Sequence, residues 1–195
     1  MKRKRIRAKY LRLNERTNAL DSLEQVYNFL QQAEHDLQRW KWVIIALDAA
    51  LYGFAICACA GTDWRNVTTK KGHLINLNDA LARCQDTKWM RRLSFGKPLV
   101  SSPSQRKSID YVHKIFRNKF IHFSPKGWSI ELHGIPSIVM DVLDVIRFLA
   151  IDTKYVSLNS TQSRIVKSLV YQTRLILKRS KLHQEFLHLL SQKKT

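Results

Sequence analysis

The chain has 195 residues, which is enough for one well-buried core and short for two. Its 34 lysines and arginines face only 15 aspartates and glutamates, giving a formal charge of +19, while 45% of the residues are hydrophobic. This composition excludes wholesale disorder and indicates a folded body with a polyanionic partner: nucleic acid first, an anionic membrane surface second.

Residues 1–17 form a predicted basic arm, a kind of segment that is usually solvated and often contacts phosphates. Its candidate nucleic-acid-binding residues are Lys2, Arg3, Lys4, Arg5 and Arg7. No secretory signal follows the charged start, and the three cysteines are odd in number without zinc-ligand spacing. We therefore expect a cytoplasmic, reducing location.

Apolar residues spaced three and four apart predict four main helices. The second is expected to stop at Gly61, the third before Pro125, and the fourth to begin at Pro136. A short helix and a short extended piece, a hairpin or lone strand, are expected between them. The predicted ranges are 18–35, 37–60, 104–122 and 136–151 for the main helices, 77–86 for the short helix and 126–134 for the extended piece.

A fifth helix, predicted at about 160–191, is rich in basic residues, and Arg174, Lys178 and Arg179 are its nucleic-acid-binding candidates. The sequence thus predicts an all-α fold. A four-helix bundle over 18–155 carries a small irregular or β insert, and a basic C-terminal helix over 156–195 is appended to it.

The run from Trp42 to Gly61 is almost long and apolar enough to span a bilayer. Asp48 lies inside it, and a carboxylate is unfavourable at the centre of a membrane. We expect instead a central helix buried on all sides, no membrane insertion, and a partner for Asp48: an Arg or His of the third helix such as Arg117 or His122, or else a Lys or Tyr in a purely structural pairing.

One short motif carries candidate chemistry: Arg117-Asn118-Lys119-Phe120-Ile121-His122, at the end of the third bundle helix. Here the chain resembles the HEPN superfamily (higher eukaryote and prokaryote nucleotide-binding domains). Nuclease members of that superfamily are helical bundles that carry Arg and His separated by four to six residues, often with a polar residue after the Arg. The resemblance covers about residues 18–152, but its specific part is six residues long.

The resemblance implies a metal-independent endoribonuclease of the toxin or antiviral-defence kind, acting as a homodimer through the third bundle helix. Catalytic roles fall to Arg117, Asn118 and His122, with Asp48 supporting; RNA is the partner, an antitoxin or regulatory protein a further one, and no cofactor or metal is expected. An imidazole can transfer the protons of 2′-OH attack, and a guanidinium can stabilise the phosphorane.

A second match to the same spacing, Arg106 to His113, lies at the helix start and lacks the Asn, so it is interpreted as a chance match. Arg117 and His122 are five apart and cannot share one face of an ideal helix. Either the helix loosens near its end, or the site is assembled across two chains.

Plainer interpretations of the same residues remain open. Arg117 also fits a surface ion pair, His122 a helix-terminal histidine, and Asn118 a capping residue. The five tryptophans fit core packing better than base stacking. The alternative function is a non-catalytic RNA-binding or scaffold subunit of a nucleoprotein complex; a membrane-surface protein is a third class.

Overall fold

The computed structural model describes residues 9–92, 96–122 and 127–192, and within these ranges the chain is helical without a single strand. Two helices continue directly into π-helical segments, Tyr111–Phe116 and Phe148–Asp152. The α-helices are α1 (Glu15–Ala33), α2 (Arg39–Ala60), α3 (Leu77–Gln85), α4 (Thr87–Met90), α5 (Pro103–Asp110), α6 (Arg117–Ile121), α7 (Ile135–Arg147), α8 (Ser160–Arg179) and α9 (Lys181–Gln192).

Helix α2 is the centre of the fold. It contacts α1, α3, α6 and α7, and Leu47, Leu51 and Phe54 along it are fully buried. By length and composition α2 could cross a membrane, yet 83% of its most apolar window is covered by the rest of the chain. The structure shows the expected central helix, but α2 is not buried on all sides: Trp42 is exposed, and Ile45, Ala49 and Tyr52 on the same stripe are only partly buried.

Local capping explains where α1 and α5 begin. The Asn14 side chain accepts from the Thr17 N–H (2.9 Å), while the Thr17 hydroxyl oxygen accepts from the Asn14 N–H (3.1 Å). Ser102 and Gln105 make the same reciprocal pair ahead of α5. These capping boxes satisfy backbone donors that a helix start leaves unpaired, so both helices begin before their first apolar residue.

A close contact joins α1 to α2. A Cβ atom placed on Gly53 would lie 2.7 Å from the Cβ of Ala19, a distance that real side chains do not adopt. The missing side chain at Gly53 therefore lets the two helix backbones approach each other at this point.

The C-terminal region differs from the sequence-based expectation. The range 160–191 holds two helices, because Ser180 adopts an extended conformation (φ −62°, ψ 143°) that ends α8. Helix α8 packs against α1 and α7 and buries Val166, Val170 and Leu177 in the common core, whereas α9 buries no residue. Helix α8 is thus integrated into the core, and α9 alone has the peripheral position expected of an appended helix.

Of the expected irregular or β insert, the β alternative is wrong for the part that the structure describes. From Gly127 to Gly134 the chain has no regular structure and ends in a turn, and Lys126 lies outside the described residues. Ile130 and Leu132 instead place their side chains against the core, which explains the alternating apolar pattern.

The three cysteines are buried, as expected for small hydrophobic side chains. Burial raises the pKa of the Cys57 thiol to about 12. Cys59 on α2 and Cys84 on α3 bring their sulfur atoms within 3.3 Å of each other, and the hydrogen bond from Cys84 lowers the pKa of Cys59.

Candidate functional site

The predicted motif lies on a composite helix formed by α5, the π-helical segment and α6, which crosses α2 near Asp48. Its first half is fixed to α7, because the hydroxyls of Ser104 and Ser108 both donate to the Asp141 carboxylate, at 2.6 and 2.7 Å. Val112 and Phe116 are buried in the core and hold the second half. The opposite side of this composite helix remains accessible and carries the polar residues.

The π-helical segment directly precedes the motif. Its wider turn is closed by a hydrogen bond from the Arg117 N–H to the Val112 carbonyl, five residues earlier. His113 and Arg117, four residues apart, both direct their side chains to Asp48 from this segment and its end. Short π-helical turns of this kind occur frequently at functional sites.

Asp48 is the point on which these side chains converge. Its Oδ1 lies 2.8 Å from His113 Nδ1, and its Oδ2 lies 3.7 Å from Arg117 Nε. Only 10% of the Asp48 side chain is exposed, against 26% for His113 and 37% for Arg117. A buried carboxylate needs such partners, and here they come from the composite helix. Arg117 is among the candidates considered from the sequence, whereas His122, Lys and Tyr are not the partners found.

Asn118 holds the other side of the guanidinium. Arg117 Nη1 donates to Asn118 Oδ1 (3.1 Å), and Asn118 Nδ2 in turn donates to the Lys114 carbonyl (3.0 Å). These contacts fix the amide so that its oxygen faces Arg117. Asp48 and Asn118 together engage Nε and Nη1, while Nη2 has no partner among the described residues and is accessible to solvent.

His122 lies apart from this cluster. Helix α6 ends at Ile121, and His122 leaves the helical conformation (φ −91°, ψ 115°) with its N–H bonded to the Asn118 carbonyl at 2.9 Å. Its side chain is exposed and makes no hydrogen bond or ion pair within the described ranges. The helix thus ends within one residue of the predicted 122, and Pro125 lies outside the described residues.

The candidate nucleic-acid-binding residues have different environments. Arg174 is half-buried and pairs with Asp144 of α7, so its charge is already engaged inside the fold. Lys178 and Arg179 are exposed at the end of α8. The five candidates of the arm, Lys2, Arg3, Lys4, Arg5 and Arg7, lie outside the described residues.

Near the motif, the exposed indole of Trp128 packs on Phe120, with ring centroids 5.4 Å apart, and the ammonium of Lys119 lies 5.5 Å from the Trp128 ring. Trp40, in contrast, is buried. Over the described ranges, no group of three metal-ligating side chains comes together.

Sequence reasoning missed His113. Motif matching paired it with Arg106, but the Arg106 guanidinium donates to the Ser101 carbonyl and takes no part in the cluster. The available signal was positional: His113 precedes Arg117 by four residues, so both lie on one helix face that also has to meet Asp48.

The described part of the chain therefore assembles Asp48, His113, Arg117 and Asn118 into one group, joined by two hydrogen bonds and the ion pair between Asp48 and Arg117, and leaves His122 outside it. Such a group can bind an oxyanion through Arg117 and exchange a proton through an imidazole. Comparison of this chain with protein-family models, with curated proteins and with solved structures finds no match.

Proposed function

We propose that this chain is a metal-independent endoribonuclease of the HEPN kind, acting in the cytoplasm as a homodimer in toxin or antiviral-defence biology. The observation that carries the proposal is the buried Asp48 carboxylate beneath Arg117, with Asn118 bound to the same guanidinium. A guanidinium held on two sides, with one nitrogen free, is prepared to receive a phosphate oxygen.

The reaction follows from the side chains. His122 takes the proton of a ribose 2′-OH, the 2′-oxygen attacks phosphorus, and Arg117 stabilises the negative charge that develops on the non-bridging oxygens. The phosphorus–5′-oxygen bond breaks and the leaving oxygen takes up a proton, so that the products are a 2′,3′-cyclic phosphate and a 5′-hydroxyl. DNA lacks the attacking hydroxyl and is not a substrate.

The dimer brings a second copy of the motif to the site. Arg117, Asn118 and His122 lie on or next to an accessible side of the composite helix, where a partner's motif can face them. We infer that the RNA lies between the two motifs. The charge of +19 supplies the attraction for the phosphate backbone, and an antitoxin or regulatory protein would cover this same basic surface.

The first prediction concerns the motif. Arg117→Ala and His122→Ala should each lower RNA cleavage by about two orders of magnitude, the usual effect of an acid–base or charge-stabilising group. The affinity for RNA should change little, because the other basic residues supply most of it. Cleavage of a labelled single-stranded RNA and binding by fluorescence anisotropy measure the two effects separately.

Arg106→Ala is the matched control, since Arg106 lies on the same composite helix and bonds only to a backbone carbonyl. It should leave cleavage unchanged. Cleavage should also persist in EDTA and stop when the cleaved nucleotide is 2′-deoxy. A strict need for Mg²⁺ would contradict the mechanism.

The second candidate function is a non-catalytic RNA-binding subunit, favoured by the separation of His122 from the Asp48 cluster. It predicts a salt-dependent RNA affinity as well, but the RNA should be recovered intact after incubation with the wild-type protein and with the Arg117→Ala and His122→Ala variants.

A further inference from the structure

The geometry points to His113 as the second proton-transfer group of the proposed reaction, the general acid that protonates the leaving 5′-oxygen. This inference rests on the proposed function. The cleavage needs two proton transfers, one from the 2′-OH and one to the 5′-oxygen, and His113 lies beside Arg117 on the same buried carboxylate, where it can perform the second.

His113 is held as an acid–base group requires. Its Nδ1 lies 2.8 Å from Asp48 Oδ1, and because a carboxylate only accepts, Nδ1 carries the proton of that hydrogen bond. The ring orientation and the tautomer are thereby fixed. Its Nε2 has no partner in the described part of the chain and is accessible to solvent, so it is the atom that meets substrate.

Arg117 provides the second reason. His113 and Arg117 bind the two oxygens of one carboxylate, at 2.8 and 3.7 Å, so their side chains are neighbours above α2. In this proposal, a phosphate bound by the free edge of Arg117 is within reach of His113 Nε2. Protonation of Nε2 would add an ion pair to the hydrogen bond between His113 and Asp48, which suits a group that gives a proton in the reaction.

The two histidines then divide the reaction. His122 accepts the 2′-OH proton as the 2′-oxygen–phosphorus bond forms, and His113 Nε2–H donates its proton to the 5′-oxygen as the phosphorus–oxygen bond breaks. His122 gains one proton and His113 loses one. Proton exchange with water then returns both imidazoles to their starting protonation states. Asp48 acts through His113 as a positioning residue.

His113→Asn is the decisive variant. An Asn amide at this position can still donate to Asp48, so that the buried carboxylate keeps a partner, but it cannot transfer a proton. The test uses the full-length protein and one RNA oligonucleotide whose cleaved linkage is known, made with either oxygen or sulfur at the bridging 5′ position. A thiolate leaves without needing a proton, because a thiol is far more acidic than an alcohol.

We expect His113→Asn to slow cleavage of the oxygen linkage by about 100-fold, and of the sulfur linkage by less than about tenfold. His122→Ala should slow both, since its proton transfer does not involve the leaving group. His133→Asn is the matched control: His133 also contacts carboxylates, but Glu131 and Glu185 occupy both of its ring nitrogens, so neither rate should change.

Each other outcome overturns the assignment. If His113→Asn cleaves the oxygen linkage at the wild-type rate while Arg117→Ala and His122→Ala are inactive, His113 is not the general acid and the proposed function stands. Equal reductions in rate on both linkages, in a variant with unchanged circular dichroism, show that His113 is not the acid. A wild-type protein that cleaves neither linkage overturns the proposed function together with this inference.

Discussion

At the residue scale, the Asp48 cluster is asymmetric in its exposure. The carboxylate is 10% exposed, whereas its partners His113 and Arg117 are 26% and 37% exposed. If Asp48 is removed, water can therefore hydrogen-bond to His113 and Arg117 in its place. If His113 is removed, water reaches the buried carboxylate far less easily. Removing a partner from a buried charge is the more damaging change.

This asymmetry gives a stability prediction. His113→Ala should lower the free energy of unfolding by about 2 kcal/mol, because it leaves a buried acceptor unpaired. Asp48→Asn should lower it by less, and the double variant Asp48→Asn/His113→Ala should be more stable than His113→Ala alone. Urea denaturation followed by circular dichroism measures all three.

His133→Ala is the comparison, because its partners Glu131 and Glu185 are largely exposed and the decrease should stay under about 1 kcal/mol. If the double variant were the least stable of the set, the unpaired Asp48 carboxylate would not be the cause of the instability of His113→Ala.

The site was only half predictable from sequence. An aspartate in the middle of the run from Trp42 to Gly61 had to find a partner, and helical spacing limited the choice to the composite helix. His113, four residues before Arg117, is the closer partner, although motif matching set it aside. The composite helix also contains a π-helical turn at Tyr111–Phe116, which was not predicted. Val112 and Phe116 fit an ordinary α-helix just as well, so the apolar pattern contains no sign of that turn.

At the scale of single elements, the helices follow from capping and apolar spacing, and α2 and α7 lie within a few residues of their predicted ranges. The break at Ser180 was missed because neither Gly nor Pro marks it. At this break the Ser180 hydroxyl donates to the Leu177 carbonyl at the end of α8 (2.7 Å) and accepts from the His183 N–H at the start of α9 (3.3 Å).

The contact between α1 and α2 gives a prediction for packing. Gly53→Ala should stabilise the helical backbone of α2 by about 1 kcal/mol. It also introduces a Cβ atom 2.7 Å from the Cβ of Ala19. Overpacking of this kind costs about 1–3 kcal/mol, so we expect a lower melting temperature in thermal unfolding.

Ala19→Gly added to Gly53→Ala should recover part of the stability, because it removes the opposing methyl group. Gly134→Ala is the control, since its Cβ would meet Phe186 at an ordinary 3.9 Å. If Gly53→Ala raised the melting temperature, α1 and α2 could move apart at this contact without a loss of stability.

At the scale of the whole molecule, the 34 lysines and arginines are not all available to a partner. Arg174 pairs with Asp144, Arg147 with Asp152 at 3.1 Å, and Lys114 with Asp110 at 2.7 Å. The number of basic residues read from the sequence therefore overstates the number that can contact phosphates.

Salt dependence tests this distinction. Lys178→Gln/Arg179→Gln should lower the slope of log affinity against log salt by about one for each phosphate that is no longer neutralised, with stability unchanged. Arg174→Gln should leave the slope nearly unchanged and lower the melting temperature, because it removes an ion pair that joins α8 to α7. Titration of RNA at several salt concentrations separates the two variants, and the reverse pattern would show that Arg174 is the residue that binds phosphate.

The central position of α2 also has a consequence for synthesis on the ribosome. Helix α1 can cover one side of α2 as soon as both have emerged, but α7, which covers another, begins roughly 75 residues after α2 ends. At about 5–20 residues per second, this apolar helix waits several seconds for its remaining cover. During that interval the nascent chain exposes a surface on which chaperones or other nascent chains can bind, and fragments that end before Ile135 should therefore aggregate.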